Sequence, residues 1–463
     1  MTSLATRSCP SKATVFDPSL DDLREKVASG QRLSLADGER LFATRDVWSV
    51  LQMAHDVRTR LHADAAYYNI NRHLNYSNVC ALSCKFCEFY AKQGDAKAYV
   101  RDLAYVRDQA RQAVESGATE MHMVGGLHPT LGFSYYTDLV SAIREEAAAA
   151  GSDLHVKAFT AVEIVHLARI AKVYKGASIA GDEGRALRRE GIRHVLTKLK
   201  EAGLGSLPGG GAEVFDDRIH DEAFKGKIRS DVWLDVHRCA HELGLNTNAT
   251  LLYGHIETRR DRLIHMDMLR KAQDEALARL GYAGVASTET SSQKPGTQGH
   301  LGYTPGSRAD VITLTRPGTP LPEHVVFGQG KSAAPGGYYQ TIIPLPFIPD
   351  GCDLEHLPGP GGAENYRTLA IARLMLDNFP HVKAFWIMQT LPMAQVMLQS
   401  GADDMDGTVV WYDITHVGAA STHQEVTTGT LQRLIREAGF RPVERDTLYR
   451  PIVRDGKRWS VAT

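Results

Sequence analysis

The chain has 463 residues, 43% of them apolar, with 53 basic and 54 acidic side chains and a net charge of −1. That length holds two or three ordinary domains, or one large barrel with additions. The charge balance offers no global field to attract nucleic acid or an anionic surface, and no run approaches the roughly 18 apolar residues that a membrane span needs.

Residues 1–15 read as a loose tail. Met1 to Asp17 carries no apolar block followed by a small-residue cleavage site, so the cytoplasm is the expected compartment. Residues 18–66 read as helices, and in Leu33-Ser34-Leu35-Ala36-Asp37 the serine stands where a helix cap belongs, ahead of an acidic first turn. Residues 1–66 are therefore taken as a tail and helical extension. From Tyr67 onward, short apolar runs alternate with helical ones. Eight runs read as strands: Tyr68–Ser77, Met121–Gly125, His155–Thr160, Gly205–Pro208, Thr247–Tyr253, Thr341–Phe347, Val382–Met388 and Thr408–Ile414. Between them the clearest helix is Asp231–Leu243, with Val232, Val236, Cys239 and Leu243 on one face and Gly244 placed to end it. Eight strand–helix units match an α/β fold of the (βα)8, TIM-type barrel kind over residues 67–463, and an open doubly wound sheet is the other arrangement. Two polar segments interrupt the alternation as expected inserts, 175–193 and 281–337.

Six cysteines in so long a chain do not make a disulfide scaffold, and three of them fall within eight residues: Cys80-Ala-Leu-Ser-Cys84-Lys-Phe-Cys87. Three thiolates on a short loop after a strand can ligate three irons of a 4Fe-4S cubane and leave the fourth iron open. The amino and carboxylate groups of S-adenosylmethionine (SAM) can chelate that iron, and one electron then releases a 5′-deoxyadenosyl radical. A zinc site is the competing reading, but zinc wants four ligands. Cys239 lies on a helix core face, Cys352 is far along the chain, and His73 would complete a site only at an unusual spacing. Phe86 either packs or lies against the adenine of SAM.

Further constellations sit at predicted strand ends. In Gly125-Gly126-Leu127-His128-Pro129 the glycines either make a tight corner or bring bare backbone to the cofactor. In Lys157-Ala-Phe-Thr160-Ala-Val-Glu163 the glutamate either bonds ribose hydroxyls or stabilises a helix N-terminus. Leu207-Pro-Gly-Gly-Gly-Ala-Glu213 is no Walker loop, because no Gly-Lys-Ser/Thr follows. Asn248 to Glu257 puts polar residues at both ends of a strand. Ala402-Asp403-Asp404-Met405-Asp406-Gly407 is an acidic corner that binds substrate polar groups or caps a turn.

Taken with Asn71-Arg72-His73 and Tyr253-Gly-His255-Ile-Glu257, these motifs resemble the aminofutalosine synthases, radical SAM enzymes of the futalosine route to menaquinone, from about Leu20 to the C-terminus apart from the inserts. The resemblance implies a radical SAM barrel whose cluster is held by Cys80, Cys84 and Cys87, with Phe86, Gly125, Gly126 and Glu163 at SAM. It implies SAM as a co-substrate, its adenosyl group added to the carboxyvinyl ether of 3-hydroxybenzoate with aryl migration and decarboxylation. A reducing donor such as flavodoxin or ferredoxin is implied as well. Arg72, His128 and His255 are the expected partners of the substrate carboxylates. Ile348 stands where family members usually carry a histidine. Two sister radical SAM enzymes, dehypoxanthine futalosine cyclase and the tyrosine-using component of deazaflavin synthesis, remain as alternatives, as do a metal-binding structural barrel and an inactive homologue.

Overall fold

Short apolar strands, each followed by a helix with one apolar face, bury both faces of a parallel sheet when the chain coils repeatedly in one hand. The computed structural model describes residues 17–282, 311–319, 336–412, 414 and 425–462. Its strands are β1 (Ala65–Asn69), β2 (Asn71–Asn75), β3 (Glu120–Val124), β4 (His155–Ala158), β5 (Ser206–Leu207), β6 (Asn246–Tyr253), β7 (Tyr339–Pro346), β8 (His381–Val382), β9 (Asp404–Gly407), β10 (Arg441–Glu444), β11 (Ile452–Asp455) and β12 (Arg458–Val461). Strands β2 to β8 pair in sequence order as one seven-stranded parallel sheet.

The segment from Asp403 to Val410 joins the two edges of that sheet. Asp403 N donates to Val382 O at 3.1 Å and Ala384 N to Asp404 O at 2.8 Å, while His73 N donates to Val410 O at 2.7 Å and Val410 N to Asn71 O at 3.3 Å. The ring is thus closed through this segment, in the eighth strand's place. β9 also pairs with β1, which lies between β9 and β10 in a small second sheet, and β11 and β12 form a hairpin.

The expected strands are met with four changes. Tyr68–Ser77 divides at Ile70, because residues up to Asn69 pair with β9 and β10 and residues from Asn71 pair with β3. Val382–Met388 is a strand only at its start and then a helix, Trp386–Gln389; a short apolar run carries no period that separates the two. The last strand begins earlier than Thr408, at Asp404, and residue 413 lies outside the described residues. The polar stretch 175–193 runs into a 22-residue helix, Gly181–Ala202, which buries Ile192, Val195, Leu196 and Leu199 and serves as the helix before β5 rather than as an excursion. The stretch 281–337 and the tail 1–15 lie mostly or wholly outside the described residues. Of the former, Ile312 and Leu314 pack with Ala276, Leu277 and Tyr338 in a small separate cluster.

The N-terminal helices Asp21–Ser29, Leu35–Ala43 and Val47–His62 share the barrel's main core through Leu23, Leu41, Phe42, Val50 and Val57. Ser34 caps the second of them in a capping box with Asp37, as its spacing predicts. Partly buried Arg32 fixes the extension to the barrel helices, with Nη1 donating to Asp274 at 2.6 Å and Nε to Asp377 at 3.0 Å. The helix Ser230–Glu242 buries Cys239 completely and ends before Gly244, whose φ of +80° suits glycine.

Burial holds several histidines neutral in the fold. The imidazoles of His62, His237 and His265 are pushed down to about 3, and that of His155 to about 4. Each is depressed below its unfolded value of about 6.5, so unfolding takes up protons as pH falls. Their stabilisation is whole above pH ~6.5 and is lost towards pH ~4, at up to about 1.4 kcal/mol per pH unit per histidine. The urea midpoint is expected to fall steeply from pH 7 to pH 5. A flat profile over that range would contradict this account.

Candidate active site

One cavity of about 340 Å³ opens at the C-terminal ends of the barrel strands. Its wall is built from the residues that follow each strand: the cysteine loop after β2, Gly125 and Gly126 after β3, Thr160 to Glu163 after β4, Pro208 to Gly211 after β5, and Phe347 and Ile348 after β7. Convergence of strand-end loops on one mouth is the ordinary site of chemistry in such barrels.

All three thiols of the triad line this cavity. The loop that carries them is fixed by backbone hydrogen bonds on every side: Cys80 N to Ala91 O at 2.9 Å, Ala81 N to Leu127 O at 2.9 Å, and Lys85 N to Ala223 O at 2.9 Å. Lys92 Nζ donates to the carbonyls of Cys80 and Leu82 at 3.1 and 2.7 Å. Burial pushes the Cys84 thiol up to about 11 and raises that of Cys87 as well, so these sulfurs need a cation before they ionise. Among the described residues, the one trio of metal-binding side chains whose donor atoms lie within 4.8 Å of one another is His62, His381 and Asp403. The three sulfurs do not all lie within that distance of one another, as ligands about 2.3 Å from a single zinc would. The residues present therefore fit a thiolate-held iron–sulfur cubane better than a structural zinc ion. Cys239 and Cys352 do not line the cavity.

The glycines at the second strand end have no room for a side chain. A Cβ on Gly125 would fall 2.6 Å from the Tyr76 ring, and one on Gly126 would fall 2.3 Å from Val79 O, in the backbone leading to Cys80. Glu163 ties this corner together. Its Oε1 accepts from Tyr76 Oη at 2.7 Å and from Gly125 N at 3.0 Å, and its Oε2 accepts from Thr160 N and Oγ1 at 2.7 Å each. It thus completes the capping box of the helix Ala161–Ile170 while lining the cavity, so the structural reading of this carboxylate is met in full. A Glu163→Gln change puts an amide donor against donors. It is expected to cost about 2 kcal/mol, the usual penalty for a buried group left unpaired, in a urea titration.

The triple glycine has a similar origin. Gly209 passes so close to β6 that a Cβ would meet the backbone of Ala249 at 2.5–2.7 Å, and the carbonyls of Gly209 and Gly210 accept from Thr250 Oγ1 and Trp233 Nε1. Phe86 packs edge-on against Phe224 and faces the cavity, with the Lys227 ammonium 4.7 Å from its ring centre.

Three expected substrate contacts lie elsewhere. Arg72 points outward from β2, where its guanidinium donates to Gln109 and Gln112 of the helix Leu103–Glu115 at 2.7–3.1 Å. Alternation sends its neighbour His73 inward instead. His128 turns back on its own loop, its Nδ1 accepting from Thr130 N and Leu131 N at 3.3 Å. His255 donates through Nε2 to Leu252 O at 3.2 Å beside Glu257. None of the three is a wall residue of the cavity.

In their place the cavity receives His73, His122, Lys157, Lys383 and Asp406 at its base, and the Lys227–Glu213 ion pair near the thiols. Lys383 and Lys227 belong to no motif read from the sequence. For Lys383 the signal available was a charged residue in the otherwise apolar run Val382–Met388; Lys227, in the loop after the helix Asp217–Ala223, offered none. The acidic corner divides: Asp403 and Asp404 are fully buried and paired with Arg373 and Arg445, and Asp406 reaches the cavity beside Lys383.

Comparison with known proteins agrees with this architecture. Residues 74–269 match the model of the radical SAM superfamily, and residues 337–455 match that of the CofH/MqnC C-terminal region. The chain is 36% identical to an aminodeoxyfutalosine synthase of Thermus thermophilus, over 95% of this chain and 97% of that one. It is also 36% identical to one of Streptomyces coelicolor, over 92% of each. A 5-amino-6-(D-ribitylamino)uracil–L-tyrosine 4-hydroxyphenyl transferase of Methanopyrus kandleri is 28% identical over 94% of this chain and 97% of that one. Among solved structures, methylornithine synthase (PylB) superposes with a TM-score of 0.60 at 13% identity, over 91% of this chain and 97% of that one, which bears on the fold alone. End-to-end similarity of this kind, with the cysteine triad in the strand-end cavity, shows that the chain belongs to the aminodeoxyfutalosine synthase family of the radical SAM superfamily.

Proposed function

We propose that this radical SAM enzyme joins the 5′-deoxyadenosyl group of SAM to the carboxyvinyl ether of 3-hydroxybenzoate, with aryl migration and loss of carboxylate, giving aminofutalosine for menaquinone biosynthesis. The observation that carries the reading is the single cavity in which three thiols, two side-chain-free strand-end glycines and an apolar chamber meet. The similarity to two aminodeoxyfutalosine synthases over more than nine-tenths of the chain supports this reaction. When bound, the 4Fe-4S cluster and SAM used by this superfamily supply the one-electron cleavage that makes the adenosyl radical.

In this reading Cys80, Cys84 and Cys87 hold the cluster, and the loop bonds described above fix their spacing. Gly125 and Gly126 offer backbone to SAM, held in place by Glu163, and Phe86 offers its ring face. The apolar wall of Val124, Leu252, Ile343, Leu345, Phe347 and Ile348 excludes water and polar hydrogen donors from the reacting carbons. Ile348 in place of a histidine makes that wall more apolar. Arg72, His128 and His255, facing away from the cavity, hold strand ends and loops in position. A low-potential donor of the flavodoxin or ferredoxin kind supplies the electron.

The test is to incubate the reduced, cluster-loaded enzyme with the enol ether and SAM labelled in the adenosyl group. The label is expected in one larger product that also contains the aromatic ring. Label recovered only as 5′-deoxyadenosine would identify a hydrogen-abstracting enzyme and reject the reading.

A further inference from the structure

We propose that the floor of the cavity is a carboxylate-binding pocket, in which His73 and the flanking lysines seat the benzoate end of the substrate. The inference rests on the reaction proposed above and adds the orientation of its substrate.

Interior layers of such barrels are ordinarily filled by branched apolar side chains. Here the register of three adjacent strands aligns His73 on β2, His122 on β3 and Lys157 on β4 as neighbours in one layer, all facing the cavity. Lys157 Nζ bonds Glu120 of the layer beneath at 2.7 Å, and across the floor Lys383 Nζ pairs with Asp406 at 3.2 Å. An ammonium has three donors, and a single carboxylate partner need not engage them all.

His73 is the telling residue. It is 4% exposed, lies against the cavity, and neither ring nitrogen has a hydrogen-bond partner among the described residues. Its ring is held in place, stacked on His122 at 4.6 Å and edge-on to Tyr412 at 5.3 Å. His237 also lacks ring hydrogen bonds, but it is closed between Trp233 and Tyr339 and is no wall residue of the cavity, so nothing can reach it. The His73 imidazole differs in being both fixed and a wall residue of the cavity.

A neutral imidazole N–H and the remaining donors of two lysine ammoniums, each paired with one carboxylate, offer hydrogen bonds to an anionic acceptor. A planar carboxylate can accept from all three, and the apolar wall of Leu252, Ile343, Leu345 and Phe385 is suited to the ring that carries it. Seated this way, the benzoate carboxylate points down into the barrel. The enol ether at the other end of the molecule then faces the strand-end loops that bear the thiols.

The test compares 3-hydroxybenzoate with its neutral isostere 3-hydroxybenzamide, titrated by tryptophan fluorescence into cluster-loaded enzyme. The wild type is expected to bind the acid at least about tenfold more tightly, as a charge-assisted hydrogen bond would give. In His73→Phe, which keeps the ring and its stacking, the preference is expected to fall to within about twofold, the change left when that bond is removed. His73→Leu, which also lacks a donor, is carried in parallel, so that one folded variant decides the matter. Equal binding of acid and amide by the wild type, or an undiminished preference in a folded variant, overturns the proposal. Adduct formation from labelled SAM is scored separately on the wild type: an enzyme that prefers the acid but makes no adduct keeps the pocket and loses the reaction. One that makes the adduct without the preference does the reverse.

Discussion

Replacing any one of Cys80, Cys84 or Cys87 by alanine is expected to abolish both the thiolate-to-iron absorbance near ~400 nm and all product formation, while wild-type protein reconstituted anaerobically carries about four irons per chain. A cubane with three protein ligands has none to spare, and among the described residues no fourth cysteine lines the cavity to take over. The fold itself is expected to survive, because the loop is held by the backbone bonds of Cys80, Ala81 and Lys85 and not by their side chains. Cys239→Ser and Cys352→Ser serve as controls expected to keep about four irons, since cubane ligation requires only the triad. Iron analysis and circular dichroism on the five variants separate loss of the site from loss of the fold. Full iron in a triad variant would reject the assignment.

The triad was legible because a cluster imposes its ligands at a spacing that survives any surrounding sequence. The same holds for the helix stop at Gly244 and the cap at Ser34, where one residue type answers one backbone need. Substrate-facing residues were less legible, for a geometric reason. In a strand, adjacent residues face opposite sides, so Arg72 and His73 are equally polar in sequence and only pairing with β3 decides which looks inward. His128 and His255 sit in conspicuous motifs, but each is turned into its own loop by bonds to nearby backbone. Lys383 and Lys227 carry no motif at all, because an ion pair made across the fold, Lys383 with Asp406, has no local signature.

The acidic corner links fold to site. Asp403, Asp404 and Asp406 stand in the segment that closes the ring, so their partners are barrel residues. Asp406, with φ of +68°, accepts from Asn71 of β2 at 3.1 Å and pairs with Lys383 beyond β8. It thus ties both edges of the sheet at the level of the cavity floor. Closure of the barrel and shaping of the floor are one arrangement of charges.

Asp403→Ala is accordingly expected to destabilise the protein by about 3–5 kcal/mol, the usual result of removing one partner from a fully buried ion pair. Asp403 is wholly buried and accepts from Arg373 Nη2 at 2.5 Å, Val382 N at 2.8 Å and His381 Nδ1 at 2.6 Å, with His62 Nε2 at 3.6 Å. Alanine would leave the guanidinium of Arg373 buried without its counter-charge, together with an unpaired amide and an unpaired imidazole. The neighbouring His62 and His381 imidazoles, the Arg373 guanidinium and the hydrogen bonds made to it hold the Asp403 carboxyl well below the usual carboxylate range despite its burial. A depressed carboxylate stabilises above its unfolded pKa of about 3.9 and loses that contribution as pH falls below it. The variant should therefore differ most from wild type at neutral pH and converge on it in acid. Arg373→Met combined with Asp403→Ala should recover part of the loss, because an apolar pair leaves no orphaned charge. Urea titrations at pH 7 and at pH ~2, well below the unfolded pKa, on wild type, single and double variants measure all three effects. A single variant within ~1 kcal/mol of wild type at pH 7, the range of an exposed pair, would show that this charge group does not hold the ring closed.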